Sequence, residues 1–302
     1  MAQLTKGNAM SLEFQARLAD DIPSSVPVYR LQDQDRLAGE NRVERLARQL
    51  GVDQFVHETR TSEDWTIRQA GVWELGVHAV SGAVAARHRK NYLRDFGSAF
   101  DLDDETATRL ALSFLEGSEL LPTEELHPRA VTHLRTSGGE IDSKPGAERL
   151  LDAGVVVGRQ LRDVLVDGPG GFSLVNIDPR GEVVGLRSVC RPVAEPVGEV
   201  EVREPGVAYR ALEEIAGRVR GDVVVTKATF GYFEQGILDS QQYLQPAYMF
   251  IYAVHDKEVS YKSAEVVAAA EKVFEPLLGD KRFPMGRQDV RKPAPATQQA
   301  GQ

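Results

Sequence analysis

Six histidines, one cysteine and a tyrosine-rich run near the C-terminal end are the residues of this sequence whose types and spacing bear on chemistry. Zinc sites draw on histidine pairs at helical i, i+4 spacing or on close hairpin pairs. His127 and His133 flank Pro128, His78 and His88 flank an expected turn, and His57 and His255 stand alone. None of these spacings is a standard ligand signature, so they read as scattered surface or half-buried histidines, with no metal and no cofactor expected. Cys190 is the only cysteine, which removes any intrachain disulfide or thiolate-pair zinc site. Arg191 beside it is a cation of the kind that lowers a thiol pKa. Lone cysteines nevertheless usually behave as small hydrophobes, which makes a buried structural role the first reading.

Other patterns give chemistry little to use. The acidic run Asp101, Asp103, Asp104, Glu105 lacks calcium-loop spacing and suits the positive end of a helix dipole instead. The nucleophile elbow, the P-loop and the H-E-x-x-H helix are all missing, and Ser81 in "VSGAV" reads as a turn. "VDGPGGFSL" is a Gly-rich loop, but an anion cradle requires a strand, a loop and then a helix. This loop leads into a strand and reads as a tight connection.

The polar and aromatic cluster around "YLQPAYMFIYAV" is the strongest site candidate. At strand periodicity Tyr248, Phe250 and Tyr252 share one face and Met249, Ile251 and Ala253 the other, so both faces need cover. Buried tyrosines need partners for their hydroxyls. Lys227, Tyr232, Gln245 and His255 join the three aromatics as the candidate wall of a ligand pocket, against a packed core with satisfied hydroxyls as the first reading. Pro246, lacking an N–H, belongs at a strand start or on an edge, which places the strand at residues 247–254.

Around these residues, helices are expected in "NRVERLARQLGV", closed by Gly51, and in "DLDDETATRLALSFLEGSELLP", stopped near Gly117. Two more are expected in "GVAYRALEEIAGRV" after Pro205 and in "SAEVVAAAEKVFEPLLG". Strands come in runs between them, and Asp178-Pro179-Arg180-Gly181 has the turn chemistry of a hairpin. Helix followed by several antiparallel strands predicts an α+β fold, with repeated units of one helix packed on antiparallel strands in two sub-domains. The expected organisation is a loose N-terminal arm (1–25), a first α+β unit (26–100), a second α+β region of two units (101–280) and a disordered tail (281–302).

The chain has 302 residues, a net charge of −9 and 42% hydrophobic residues, the profile of a soluble globular protein. Its acidity argues against non-specific nucleic-acid binding and against attachment to anionic lipid. No secretory h-region or membrane-length apolar run is visible, so a cytoplasmic location is the default expectation.

The stretch "GRQLRDVLVDGPGGFSLVNIDPRGEVVGLRSVCRPV" resembles the repeat unit of PepSY-like and YycH/YycI-like bacterial proteins: a strand, a G-x-P/G-G turn, an extended strand, a D-x-x-G-x-V turn and a returning strand. "YLQPAYMFIYAV" fits the closing strand of such a unit, and the likeness spans about Asp104 to Val254. It implies tandem α+β units that bind or regulate protein partners without catalysis. The expected function is therefore a soluble, non-catalytic binding or regulatory protein, with a protein partner or an apolar small molecule as ligand. The alternative is a cofactor-independent small-molecule enzyme, of cyclase or isomerase type, with an aromatic-lined cavity.

Overall fold

The computed structural model describes residues 11–32, 36–52, 55–62, 64–90, 102–136, 149–219, 221–256 and 260–277. Strands β1 (Leu12–Phe14) and β2 (Ser25–Leu31) precede α1 (Arg36–Gln49), which is followed by β3 (Val56–Ser62), β4 (Trp65–Ala70), β5 (Trp73–His78) and β6 (Val84–His88). Next come α2 (Asp104–Ser118), a 3-10 turn (Thr123–Glu125), β7 (Leu126–Thr136), β8 (Arg149–Leu161), β9 (Val164–Asp167), β10 (Phe172–Ile177), β11 (Val183–Val189) and β12 (Val193–Glu201). The chain closes with α3 (Pro205–Ala216), β13 (Asp222–Phe233), β14 (Tyr243–His255) and β15 (Ser260–Ala268).

The helix ends follow from local chemistry. At the end of α1, Gly51 takes φ 67°. Its N–H donates to Arg48 O and the Val52 N–H to Ala47 O, the paired bonds of a Schellman cap. Asp103 caps α2 by accepting from Thr106 N at 2.6 Å, with Asp104 and Glu105 in the first turn. Gly117 does not stop α2. The helix runs to Ser118 and turns at Glu119, with φ 52°. What Gly117 accommodates is the Gln49 side chain: a Cβ there would lie 2.6 Å from its amide nitrogen.

The strands form a single hydrogen-bonded sheet in the order β12-β2-β14-β13-β9-β8-β10-β11-β6-β5-β4-β3, with β1 added to β13, β15 to β14 and β7 to β8. Pairing is antiparallel except where β13 meets β1 and β9. This sheet corrects the expected architecture. The fold is α+β only loosely: three short helices accompany one large mixed sheet of fifteen strands among the described residues, and the unit of one helix on antiparallel strands does not repeat. The fourth helical candidate is also corrected. "SAEVVA" lies in β15, paired with β14 through nine register positions, because the long buried β14 offers a ladder that overrides the helical preference of alanine and glutamate. The Asp178–Gly181 hairpin forms as expected, with Gly181 at φ 81° and Asp178 Oδ1 accepting from the N–H groups of Arg180 and Glu182.

Three main apolar clusters fill the molecule. One joins α1, α2 and strands from β4 to β11. A second packs α3 on β13 and β14, and a third gathers β2, β8, β9 and β12–β14. β2 pairs with β12 and β14, and α2 packs with α1 in the first cluster. Of the segment read as an arm, residues 11–25 are docked: β1 lies parallel on β13, the Ser11 hydroxyl donates to Asp222 at 2.6 Å, and Leu18 is buried. Residues 1–10 and the tail at 281–302 lie outside the described residues. Among the described residues no helix is long and apolar enough to cross a membrane.

Candidate functional site

Residues 234–242 join two long central strands, β13 and β14, by a loop held from inside the protein. Arg191, just after β11, is 1% exposed. Its Nη1 donates to Gln235 O at 2.7 Å, and its Nη2 donates to Gly236 O at 2.8 Å and Asp239 O at 2.6 Å. Gln241 pins the two ends of the loop: its Oε1 accepts from Gln235 N and its Nε2 donates to Phe233 O and Tyr243 O. The Gly-rich stretch supplies the floor. Gly170 N donates to Glu234 O, and a Cβ on Gly168 or Gly170 would come within 2.5 Å or 2.4 Å of the Glu234 and Gln235 carbonyl oxygens. Those glycines are there for close approach of two backbones. With Gly171 N on Val189 O and Gly168 N on the Asp167 carboxylate, the loop's donors are turned to the protein's own oxygens. From this fixed base Leu238 projects with 72% of its surface exposed, the highest among the large hydrophobics of the described residues.

The anchor is part of a buried ionic network. Glu234, fully buried, accepts from Arg191 N at 2.7 Å and lies 4.0 Å from Arg159 Nη1. Arg159 donates to Glu125 at 2.5 Å and to Arg191 O at 2.6 Å, while Arg42 of α1 donates to Gly82 O and Cys190 O. Burial pushes the Glu234 carboxyl upward against the pull of Arg159 and Arg191. Burial also brings Arg42 down to about 10, which leaves it charged at neutral pH. Cys190 sits inside this network with its thiol pushed up to about 12 by burial, so the neighbouring cations do not activate it.

The seven residues read as a pocket wall lie in several different settings. Tyr248, Phe250 and Tyr252 do share a face, packed on Ala208 and Leu212 of α3, with Phe250 against Tyr209 and Tyr248 against Phe230. Tyr248 donates to Arg203 O, and Tyr232, in the third cluster, donates to Pro27 O at 2.8 Å. Gln245 accepts from Phe274 N and donates to Glu275 O. Lys227 reaches Asp167 at 2.5 Å on the surface, and His255 lies 3.2 Å from the Ser260 hydroxyl at the end of β14. Pro246 is inside β14 and not at its start. It falls where the strand exchanges β2, paired at Tyr243 and Leu244, for β15, paired from Ala247 onward, so its missing N–H costs no ladder bond to either.

The histidines are equally dispersed. His78 faces Trp65 and His88 faces Trp73 as edge-on cross-strand pairs at opposite ends of the β5–β6 hairpin. His133 lies 3.3 Å from Asp104, and among the described residues no three histidine, cysteine or carboxylate side chains gather as a metal site would need. Reading the sequence took Arg191 only as a neighbour of Cys190 and missed Glu234 and Leu238. The available signal was "FEQGILDSQQY", two bulky aliphatic residues in an otherwise polar connection between strands.

No protein family matches the chain, and no curated protein matches it in sequence. The crystal structure of an uncharacterized protein from Eubacterium rectale ATCC 33656 is similar at TM-score 0.54 and 10% identity, covering 88% of this chain and 91% of that one. The two share a fold. The Bacillus megaterium YpeB C-terminal domain is similar at TM-score 0.35 and 12% identity over 80% of this chain and 97% of that one, too distant to carry an inference.

Proposed function

We propose that the chain is a non-catalytic binding or regulatory protein that meets a protein partner through the arginine-anchored β13–β14 loop. The observation that carries this reading is the pairing of Leu238, 72% exposed, with a loop backbone gripped at three carbonyls by the buried guanidinium of Arg191. Replacing a buried ionic network by apolar residues is often neutral or stabilising, so what such a network secures is geometry more than stability. A rigid loop spends little entropy on docking, and an apolar side chain at its tip is the anchor such a contact needs. A second exposed apolar residue flanks the same end. Val273, 46% exposed, neighbours Phe274, whose ring packs on Tyr243, and Glu275, which accepts from the N–H groups of Gln242 and Tyr243. The partner fits as a protein with an apolar cleft that receives Leu238.

The enzymatic alternative draws no comparable support. Of the groups it would use for proton transfer, the Tyr248 hydroxyl donates to Arg203 O, Lys227 is held by Asp167 and His255 lies against the Ser260 hydroxyl, while Tyr248 and Tyr252 share the face packed on α3.

A photo-crosslinking amino acid placed at 238, with the same group at the exposed Leu134 of β7 as a control, tests the reading in the source cell. The captured protein, once identified and purified, should bind the parent chain and lose about 30-fold or more in affinity to Leu238→Asp, as for a hot-spot residue. Equal crosslinking at 238 and 134, or unchanged affinity for Leu238→Asp, would overturn it.

A further inference from the structure

Among the described residues, the buried ionic network behind the loop sets three guanidiniums, Arg42, Arg159 and Arg191, against two carboxylates, Glu125 and Glu234. By formal charge the interior therefore holds one positive charge more than it balances. That surplus falls on Arg42. Arg191 lies 3.4 Å from Glu234 and Arg159 lies 2.5 Å from Glu125, whereas Arg42 donates only to the carbonyls of Gly82 and Cys190. Two guanidinium nitrogens of the network, Arg42 Nε and Arg159 Nη2, are buried with no hydrogen-bond partner among the described residues. They sit on neighbouring side chains, since Arg42 Nη2 and Arg159 Nη1 donate to the carbonyls of consecutive residues, Cys190 and Arg191. A buried cation without a counter-charge is among the most costly groups a fold can hold.

We propose that the network takes up one small monovalent anion, of chloride size, on Arg42 Nε and Arg159 Nη2. A single negative charge brings the count to zero, and the two orphaned donors gain a charged acceptor. A dianion such as sulfate would overshoot the charge and bring more oxygens than there are donors to meet them. The remaining orphan of the network, Glu234 Oε2, is an acceptor 4.0 Å from Arg159 Nη1. Like charge keeps the anion away from it, on the Arg42 side of Arg159. Burial brings Arg42 down only to about 10, so the surplus persists at neutral pH. The Cys190 thiol does not supply the missing charge, because burial pushes it up to about 12. On a chain of net charge −9 the positive surplus is local to this interior, and it is there that an anion is drawn. The site does not rest on a partner at the β13–β14 loop, and its test involves none.

Thermal unfolding of the full chain at constant ionic strength, with sodium chloride exchanged stepwise for sodium gluconate, tests the proposal. Gluconate is too large for the site. The melting temperature should rise with chloride along a saturating curve, by about 2 °C at a tenfold excess over the dissociation constant. Arg42→Met removes the surplus charge and one of the two donors, so its melting temperature should not respond to the exchange. Crystals of the parent chain soaked in sodium bromide should show an anomalous peak between Arg42 and Arg159, and this arm decides alone where Arg42→Met does not fold. Equal melting temperatures in the two salts, an undiminished chloride response in folded Arg42→Met, or a bromide map with water only beside the two guanidiniums would each overturn it.

Discussion

His78 is buried with Nδ1 3.2 Å from the Ser81 hydroxyl and its ring against Trp65, and burial lowers its pKa. The folded protein therefore holds this proton less tightly than the unfolded chain does. Stability contributed by the neutral ring is present above the ordinary imidazole value of about 6.5 and is lost as pH falls through it. The melting temperature should drop between about pH 7.5 and 5.5, and His78→Asn, which keeps an acceptor near Ser81, should flatten that drop. Glu234 and Asp152, pushed upward by burial, act with the opposite sign. They are common to parent and variant, so a variant with the parent's pH profile would refute the assignment to His78. At this scale the sequence was legible in kind and not in partner. That Tyr232 and Tyr248 need acceptors follows from their type, but the acceptors are Pro27 O and Arg203 O, 205 and 45 residues away. Arg191 reads as ordinary beside Cys190 until the fold brings Glu234 and residues 235–239 around it.

Elements that carry their own stop signals were legible from sequence. The Schellman end of α1, the Asp103 cap of α2 and the Asp178–Gly181 turn each depend on residues within five positions of one another. β15 was not, because its alanines and glutamate favour a helix and only the neighbouring β14 decides otherwise. The Gly-rich connection between β9 and β10 was legible as a tight turn, while its purpose required the loop that lies on it. That purpose predicts the outcome of Gly170→Ala. The added Cβ meets Gln235 O at 2.4 Å, an overpacking that should cost about 1–3 kcal/mol in denaturant unfolding. Amide exchange at 235–240 should rise with it, since the loop must lift to make room. Unaltered exchange in the variant would mean that the glycines do not seat the loop.

For the molecule as a whole, a weak line runs through the junction of β9 and β13, a parallel contact of only two register positions, Tyr232 with Val166 and Phe233 with Asp167, as narrow as the β14–β2 contact. Open sheets rarely exceed about 10 strands without curling or splitting, and this one narrows to two pairs midway. The Arg159–Glu234–Arg191 network crosses the same junction and ties the α1–α2 cluster to the α3 side. The parent chain should therefore unfold in one calorimetric transition. Arg191→Met, which removes the side-chain bonds to Glu234 and to residues 235–239 while roughly keeping the volume, should broaden or split that transition. A single transition with matching calorimetric and van't Hoff enthalpies in the variant would show that the two pairs suffice. The placement of β2 carries a different consequence, in time instead of energy. Its apolar residues Val26, Val28, Tyr29 and Leu31 are buried between β12 and the Tyr243 end of β14. On a ribosome adding ~5–20 residues each second, that strand emerges on the order of 10–40 s before its last neighbour exists. Throughout that interval the nascent chain displays an apolar, β-prone segment without its sheet neighbours, the kind of surface that invites aggregation.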